Sequence, residues 1–150
     1  MQDFLNDWGI TGAVFLPLIG ALIVMLIPRR EEFAHKAVAL ITSLAVGALG
    51  IMMAIEFDTN RPSSEGKFQF VQNRSWIDAI DSRYHVGIDG ISLPLMLLTM
   101  LIVPLCIIYS WNHWPDPKNP KAFLALILIL ETGMIGTFVA LDLILFFVFF

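Results

Sequence analysis

The chain has 150 residues, of which 57% are apolar and 15% charged, with a mean hydropathy of +0.77. Soluble globular domains are less apolar and more charged, so this composition excludes one and makes the bilayer the solvent. The formal net charge of -4 is gathered into short blocks between apolar runs, and no basic patch with interleaved aromatics points to a nucleic-acid partner.

A helix of about 20 apolar residues crosses the hydrocarbon core. Residues 10–27, 37–55, 91–110 and 122–141 reach that length, and the first three runs carry no charge. The predicted fold class is therefore an all-α polytopic membrane protein, a transmembrane helix bundle. Its first span is expected to stay in the mature protein, because Asp3 and Asp7 stand where a signal peptide carries positive charge and Arg29 and Arg30 follow the apolar run. Pro17 and Pro104 lie well inside spans, where each removes a backbone hydrogen bond and kinks the helix unless its neighbours compensate.

The linker after the first span holds Arg29, Arg30 and Lys36, and that after the third holds Lys118 and Lys121, whereas the first nine residues hold no cation. Positive residues are retained on the cytoplasmic side, so the N-terminus is predicted outside. Trp8, Trp76, Tyr84, Tyr109, Trp111 and Trp114 fall at span ends or in the long loop, as an interfacial aromatic belt does. Within the second span, Ser43, Gly47, Gly50 and Ala54 form a small-residue stripe that lets another helix approach closely.

The external loop, residues 56–89, contains two stretches with period-two polarity, 67–70 and 84–88. With the turn-rich Asn73-Arg74-Ser75 between them, they predict a short β-hairpin in which Phe68, Phe70, Tyr84 and Val86 pair and face the helix ends. At the start of the third span, Asp89 or Ser92 can cap free N–H groups, and Pro94 costs little in a first turn.

The fourth span contains Glu131, the one ionisable side chain deep in an apolar run of full length. An ionised carboxylate there costs on the order of 2.5–3.5 kcal/mol on insertion scales, so the group must face the bundle interior or hold a proton. Such a carboxyl suits a proton relay; the competing reading is a neutral glutamic acid hydrogen-bonded to a neighbouring helix without catalytic duty. Asp142 opens the fifth run, 143–150, and is expected to cap that helix in preference to serving as a proton exit. The run is too short to span, so the sequence is expected to stop inside its fifth helix rather than in a re-entrant tail.

Cys106 is the only cysteine, which excludes an intrachain disulfide and a cysteine-based metal site; it is expected to pack in the core. His35, His85 and His113 lack metal-ligand spacing and are expected to be solvated or interfacial. The Trp111-Asn112-His113-Trp114 cluster is read as an interfacial anchor rather than a quinone or nucleotide site. No phosphate loop, nucleophile elbow or cysteine redox motif is present.

Three segments together resemble the M-type antiporter-like membrane subunit of respiratory NADH:quinone oxidoreductase: Gly87-Ile88-Asp89-Gly90-Ile91-Ser92-Leu93, the Ser110-Trp111 end of the third span, and the run ETGMIGTFVALDLILFFVFF over 131–150. The resemblance covers this whole chain but only the amino-terminal part of a family member. It implies inverted helix repeats with paired Glu and Lys residues and broken helices at mid-membrane. In the family pattern a glutamate follows a Phe-rich run such as the one closing this chain, so none of the family's principal proton-pathway residues falls on a position here.

The resemblance further implies proton translocation coupled to quinone reduction, with no redox cofactor in this chain. It implies other membrane subunits as partners, especially sister antiporter-like ones, and the plasma membrane of a bacterium as the location. Two other readings compete, a subunit of a multisubunit sodium/proton antiporter and a structural membrane subunit in which Glu131 is incidental.

Overall fold

The computed structural model describes residues 5–58, 68–77, 82–113 and 119–150. Lys67, Trp114 and Lys118, which entered the hairpin, anchor and orientation readings, lie outside the described residues. A π-helical turn, Leu5–Gly9, leads into α1 (Ile10–Leu26), followed by α2 (Glu32–Glu56), strands β1 (Gln69–Ile77) and β2 (Ser82–Ile88), α3 (Ser92–Tyr109), α4 (Pro120–Val139) and the short α5 (Leu143–Phe149). Among the described residues four helices, α1 with its leading turn and α2 to α4, are long and apolar enough to cross a membrane. The protein is a multi-pass membrane protein, a helical bundle with one small antiparallel sheet.

The helix ends differ from the edges of the apolar runs for local reasons. α2 starts five residues early, at Glu32, because a first-turn carboxylate complements the helix dipole and Lys36 lies 4.0 Å from it one turn on. α1 stops at Leu26 because Ile27 precedes Pro28 and takes extended backbone. α4 starts at Pro120, after Asn119, whose side chain accepts the Ala122 N–H at 3.3 Å. It stops at Val139 because the chain then pairs with the sheet: Ala140 bridges Val86, and Leu141 N donates to His85 O at 2.9 Å. α1 and α3 run on through Pro17 and Pro104, both of which are buried.

α1 packs against α4 and α2, α3 against α2 and α4, and α2 also meets α4 across the bundle. Two apolar clusters fill the interior. One, at the hairpin end, includes Ile10, Val14, Val46, Met53, Met96, Ile135 and Val139; the other, toward the opposite end, includes Ala21, Val24, Ala39, Val103, Ile107, Leu124 and Leu128. Outward positions are equally apolar: Leu22, Ile51, Leu101 and Leu126 are each more than half exposed. A bundle with large aliphatic side chains on both faces of its helices matches lipid rather than water.

The small-residue stripe of α2 works as a close-approach surface. An added Cβ at Gly50 would lie 2.2 Å from the Met100 sulfur, and one at Gly47 would lie 3.6 Å from the Met100 carbonyl, so α3 sits directly on these glycines. Cys106 does not pack in the core. Met96, Met100, Val103 and Ile107 centre the inward face of α3, and Cys106 lies at the edge of that face and is exposed.

The hairpin forms, but with its reversal displaced from Asn73-Arg74-Ser75. Those residues are inside β1, paired with His85, Tyr84 and Arg83, and Ile77 pairs with Ser82. The expected side-chain pairing also shifts. Gln72, not Phe70, lies opposite Val86, because the register slips between Gln69 and Gln72 and Phe70 takes a left-handed φ of 56° there. The bulge turns Phe70 inward, so Phe70, Val86 and Ile88 still bury themselves in the upper apolar cluster. Polar contacts fix the sheet to the bundle: the Thr11 hydroxyl lies 3.0 Å from Tyr84 Oη, and Gln72 Nε2 donates to Asn6 O at 3.2 Å. Trp8 receives the Arg74 guanidinium over its ring at 4.6 Å.

Candidate functional site

Glu131 stands near the middle of α4, between the two apolar clusters, and is 0% exposed. Its Oε1 accepts a hydrogen bond from Ser43 Oγ at 3.1 Å, and Ser43 is itself fully buried on α2. Among the described residues, Oε2 has no hydrogen-bond partner, and neither has the adjacent buried hydroxyl of Thr132. The carboxyl thus occupies the interior, as its cost in lipid requires, but is held from one side only. Ser43 belongs to the small-residue stripe of α2 by its size, but its hydroxyl is what the site uses. The signal for it was weak, because a serine in a stripe of small residues is indistinguishable from a packing residue without the register of the facing helix.

The structure separates Asp142 from Glu131. Asp142 lies past the end of α4, where Oδ1 accepts from Ile144 N at 2.9 Å, from Leu145 N at 3.0 Å and from Ser82 Oγ at 3.2 Å. The Leu145 N–H above all, with those of Arg83 and Ile144 and the Ser82 hydroxyl, holds the carboxyl below the usual aspartate range. Asp142 therefore caps α5 and ties it to β2.

Asp89 makes the equivalent junction before α3. Its Oδ1 accepts from Ser92 N at 2.6 Å and Ile91 N at 3.1 Å, while Ser92 Oγ accepts the Asp89 N–H at 2.9 Å. Chiefly through the Ser92 N–H, these bonds lower its pKa from the ordinary value. A lowered folded-state value means that the cap's contribution is complete above the unfolded aspartate value of about 3.9 and is lost as pH falls through the folded one. Asp89→Ala is expected to cost about 1 kcal/mol at neutral pH and to flatten the acid limb of the stability curve, read by thermal unfolding between neutral and acid pH. An unchanged acid limb would show that Asp89 is not the titrating cap.

His35 is not solvated. It is 0% exposed, one turn into α2, where the bundle closes over it. Its Nε2 lies 3.4 Å from Ile27 O, the carbonyl that also accepts from Lys121 Nζ at 2.7 Å; Nδ1 has no partner among the described residues. Its position beside the linker after the first span is what points to solvent in the sequence, and the early start of α2 at Glu32 is what draws it inside. His85 is half-buried in β2, and exposed His113 stacks on Tyr109 at 5.8 Å. Among the described residues, no three His, Cys, Asp or Glu side chains converge as metal ligands would.

The family model described as NADH-ubiquinone oxidoreductase chain 4, amino terminus, matches residues 66–137, which include β1, β2, α3 and the Glu131 segment of α4. NADH-ubiquinone oxidoreductase chain 4 of Arabidopsis thaliana is 34% identical over 95% of this chain and 28% of its own length. NADH-quinone oxidoreductase subunit M of Mycobacterium tuberculosis is 32% identical over 90% of this chain and 29% of its own length. The chain belongs to this family. A third chain 4/subunit M relative, F(420)H(2) dehydrogenase subunit M of Methanosarcina mazei, is 34% identical over 91% of this chain and 26% of its own length. The chain thus spans between 26% and 29% of the length of these relatives. Glu131 lies inside the family-matched segment and Asp142 beyond it.

Proposed function

We propose that this chain 4/subunit M family member serves in the membrane part of an NADH:quinone oxidoreductase, where it translocates protons driven by quinone reduction, with Glu131 as a proton-exchange group. The observation that carries the reading is the Glu131 carboxyl itself: fully buried at mid-span, bonded to Ser43 through one oxygen and without a partner at the other among the described residues. A buried carboxyl that can hold or release a proton is what a relay needs, and intramembrane ionisable groups mark such relays. The relatives' names differ in reductant, NADH or F(420)H(2), while sharing this membrane segment, which supports placing the donor chemistry in other subunits. The chain is accordingly part of an enzyme without binding a redox cofactor itself, and its partners are the other membrane subunits, including sister antiporter-like ones. The test is Glu131→Gln in the assembled complex, with proton and sodium movement followed during quinone reduction in sealed vesicles. Proton translocation lost with assembly retained supports the reading; sodium as the carried ion would favour the antiporter alternative.

The proposed location is the plasma membrane of a bacterium, with the N-terminus and hairpin outside. Arg29, Arg30, Lys36 and Lys121 gather in short linkers at one end of the bundle, whereas Arg74 and Arg83 are spread along the long loop that carries the sheet at the other, and the density of positive residues in short loops is what orients multi-pass proteins. In a Cys106→Ser background, Trp76→Cys is expected to react with an impermeant thiol reagent from outside, and Asn119→Cys only after the membrane is opened. Reversed accessibility inverts the orientation.

A further inference from the structure

We propose that the groove between the cation-end tips of α1 and α4 binds an anionic phospholipid, its phosphodiester between Arg29 and Lys121 and an acyl chain along Met25, Ala122 and Ala125. The groove has a volume of about 190 Å³ and is lined by Met25, Arg29, Asn119, Lys121, Ala122 and Ala125. At about 30 Å³ per water molecule that is the space of about six waters, enough for a phosphodiester and the first carbons of a chain. The inference goes beyond the transport reading and needs neither Glu131 nor the direction in which the chain crosses the membrane.

The charged half of the groove follows from how the two helices end. The chain leaves α1 in extended backbone at Ile27, ahead of Pro28, and Arg29 comes next, exposed. Among the described residues its guanidinium has no hydrogen bond, ion pair or aromatic partner. Lys121 Nζ donates to Ile27 O at 2.7 Å, which holds the ammonium across the gap between α4 and the end of α1 and leaves two of its three protons for another acceptor. Asn119 caps α4 through Oδ1, so its amide nitrogen can also donate. The acidic residues of the same linker do not line the groove: Glu31 is exposed outside it, and Glu32 stands 4.0 Å from Lys36 Nζ. Two cations therefore face a space whose wall holds no carboxylate.

The other half is apolar. Met25 is 46% exposed, and Ala122 and Ala125, one turn apart, keep the α4 wall low. One turn deeper on each helix, Leu22 and Leu126 are more than half exposed, so the furrow leads onto lipid-facing surface. A free anion would meet the cations and leave this half uncovered, whereas a glycerophospholipid meets both. Its phosphate accepts from the Arg29 fork, with Lys121 as the second charge, and basic pockets between transmembrane helices hold anionic headgroups in this way. Because the site supplies two positive charges, a glycerol headgroup suits it and the ammonium of choline does not.

The experiment uses the assembled complex in phosphatidylcholine vesicles containing a phosphatidylglycerol with a photoactivatable acyl chain, and reads the label on the peptides that carry Met25 and Ala122. Both should be labelled in the parent, and Arg29→Gln should lower the yield by about fivefold, the factor for one cation at a membrane surface. Arg30→Gln removes the same charge from the same linker outside the groove and should leave the yield unchanged. Ala122→Leu fills the groove from an exposed position and should lower the yield with both cations in place. An unlabelled parent, equal labelling by a phosphatidylcholine with the same chain, equal losses in Arg29→Gln and Arg30→Gln, or full labelling of Ala122→Leu overturns the proposal. So does loss of the label to inorganic phosphate but not to chloride at the same ionic strength, which would make the groove a site for a free anion.

Discussion

A Glu131→Gln variant is expected to assemble in normal amount and to lose proton translocation, with proton transfer slowed by about a hundredfold or more. Glutamine preserves the shape of the side chain, and its carbonyl oxygen can still accept from Ser43 Oγ, so the α2–α4 contact survives. What it removes is the exchangeable proton. Glu131→Ala differs in a second way. It empties the space beside Thr132 and leaves the buried Ser43 hydroxyl without its acceptor, a loss of about 1–3 kcal/mol, so assembled complex should fall as well as transport. The pair of variants separates the two roles a buried carboxyl can have. A structural hydrogen-bonding residue tolerates Gln and is damaged by Ala, whereas a relay is silenced by both. Normal translocation by a fully assembled Gln variant would falsify the relay assignment.

The membrane spans were legible because the apolar run is set by bilayer thickness, which leaves little else for such segments to be. Their ends were not, since these depend on single contacts: Asn119 and Pro120 start α4 two residues early, and the Leu141 N–H bound to His85 O ends it two residues early. Glu131 was visible as a lone charge, and its burial follows from the cost of exposing it to lipid. Its partner was invisible, because which face of α2 meets α4 is a property of the bundle and not of either helix. His35 failed for the opposite reason. Its place beside the linker after the first span suggested solvent, but α2 begins early enough that residue 35 already lies inside the first buried turn. In the hairpin, Asn73-Arg74-Ser75 has turn composition, yet β1 runs through it because cross-strand bonds to Tyr84 and His85 outweigh local preference there.

The largest effect on assembly is expected from Gly20→Ala in α1. A Cβ at residue 20 would lie 2.5 Å from Thr42 Cγ2, 2.6 Å from Oγ1 and 2.9 Å from Cβ, so the whole threonine side chain covers the glycine. Rotation about χ1 exchanges the two γ atoms but leaves Cβ where it is, and a β-branched residue has few rotamers to exchange in a helix. The helices must therefore separate, at a cost of about 1–3 kcal/mol for overpacking. Separation also weakens the neighbouring layer of Ala21, Val24 and Ala39, which holds α1 against α2 near the cation end. The glycine was not part of the small-residue stripe, because that pattern lies on α2 alone while the contact needs Gly20 on α1 to meet Thr42. The Gly20→Ala variant should melt at lower temperature in detergent than the parent. Adding Thr42→Gly, which removes the Cβ that no rotamer can move, should recover most of the loss, and adding Thr42→Ser should not. Equal melting of Gly20→Ala and the parent, or rescue by Thr42→Ser as complete as by Thr42→Gly, would show that α1 and α2 are not held at this distance.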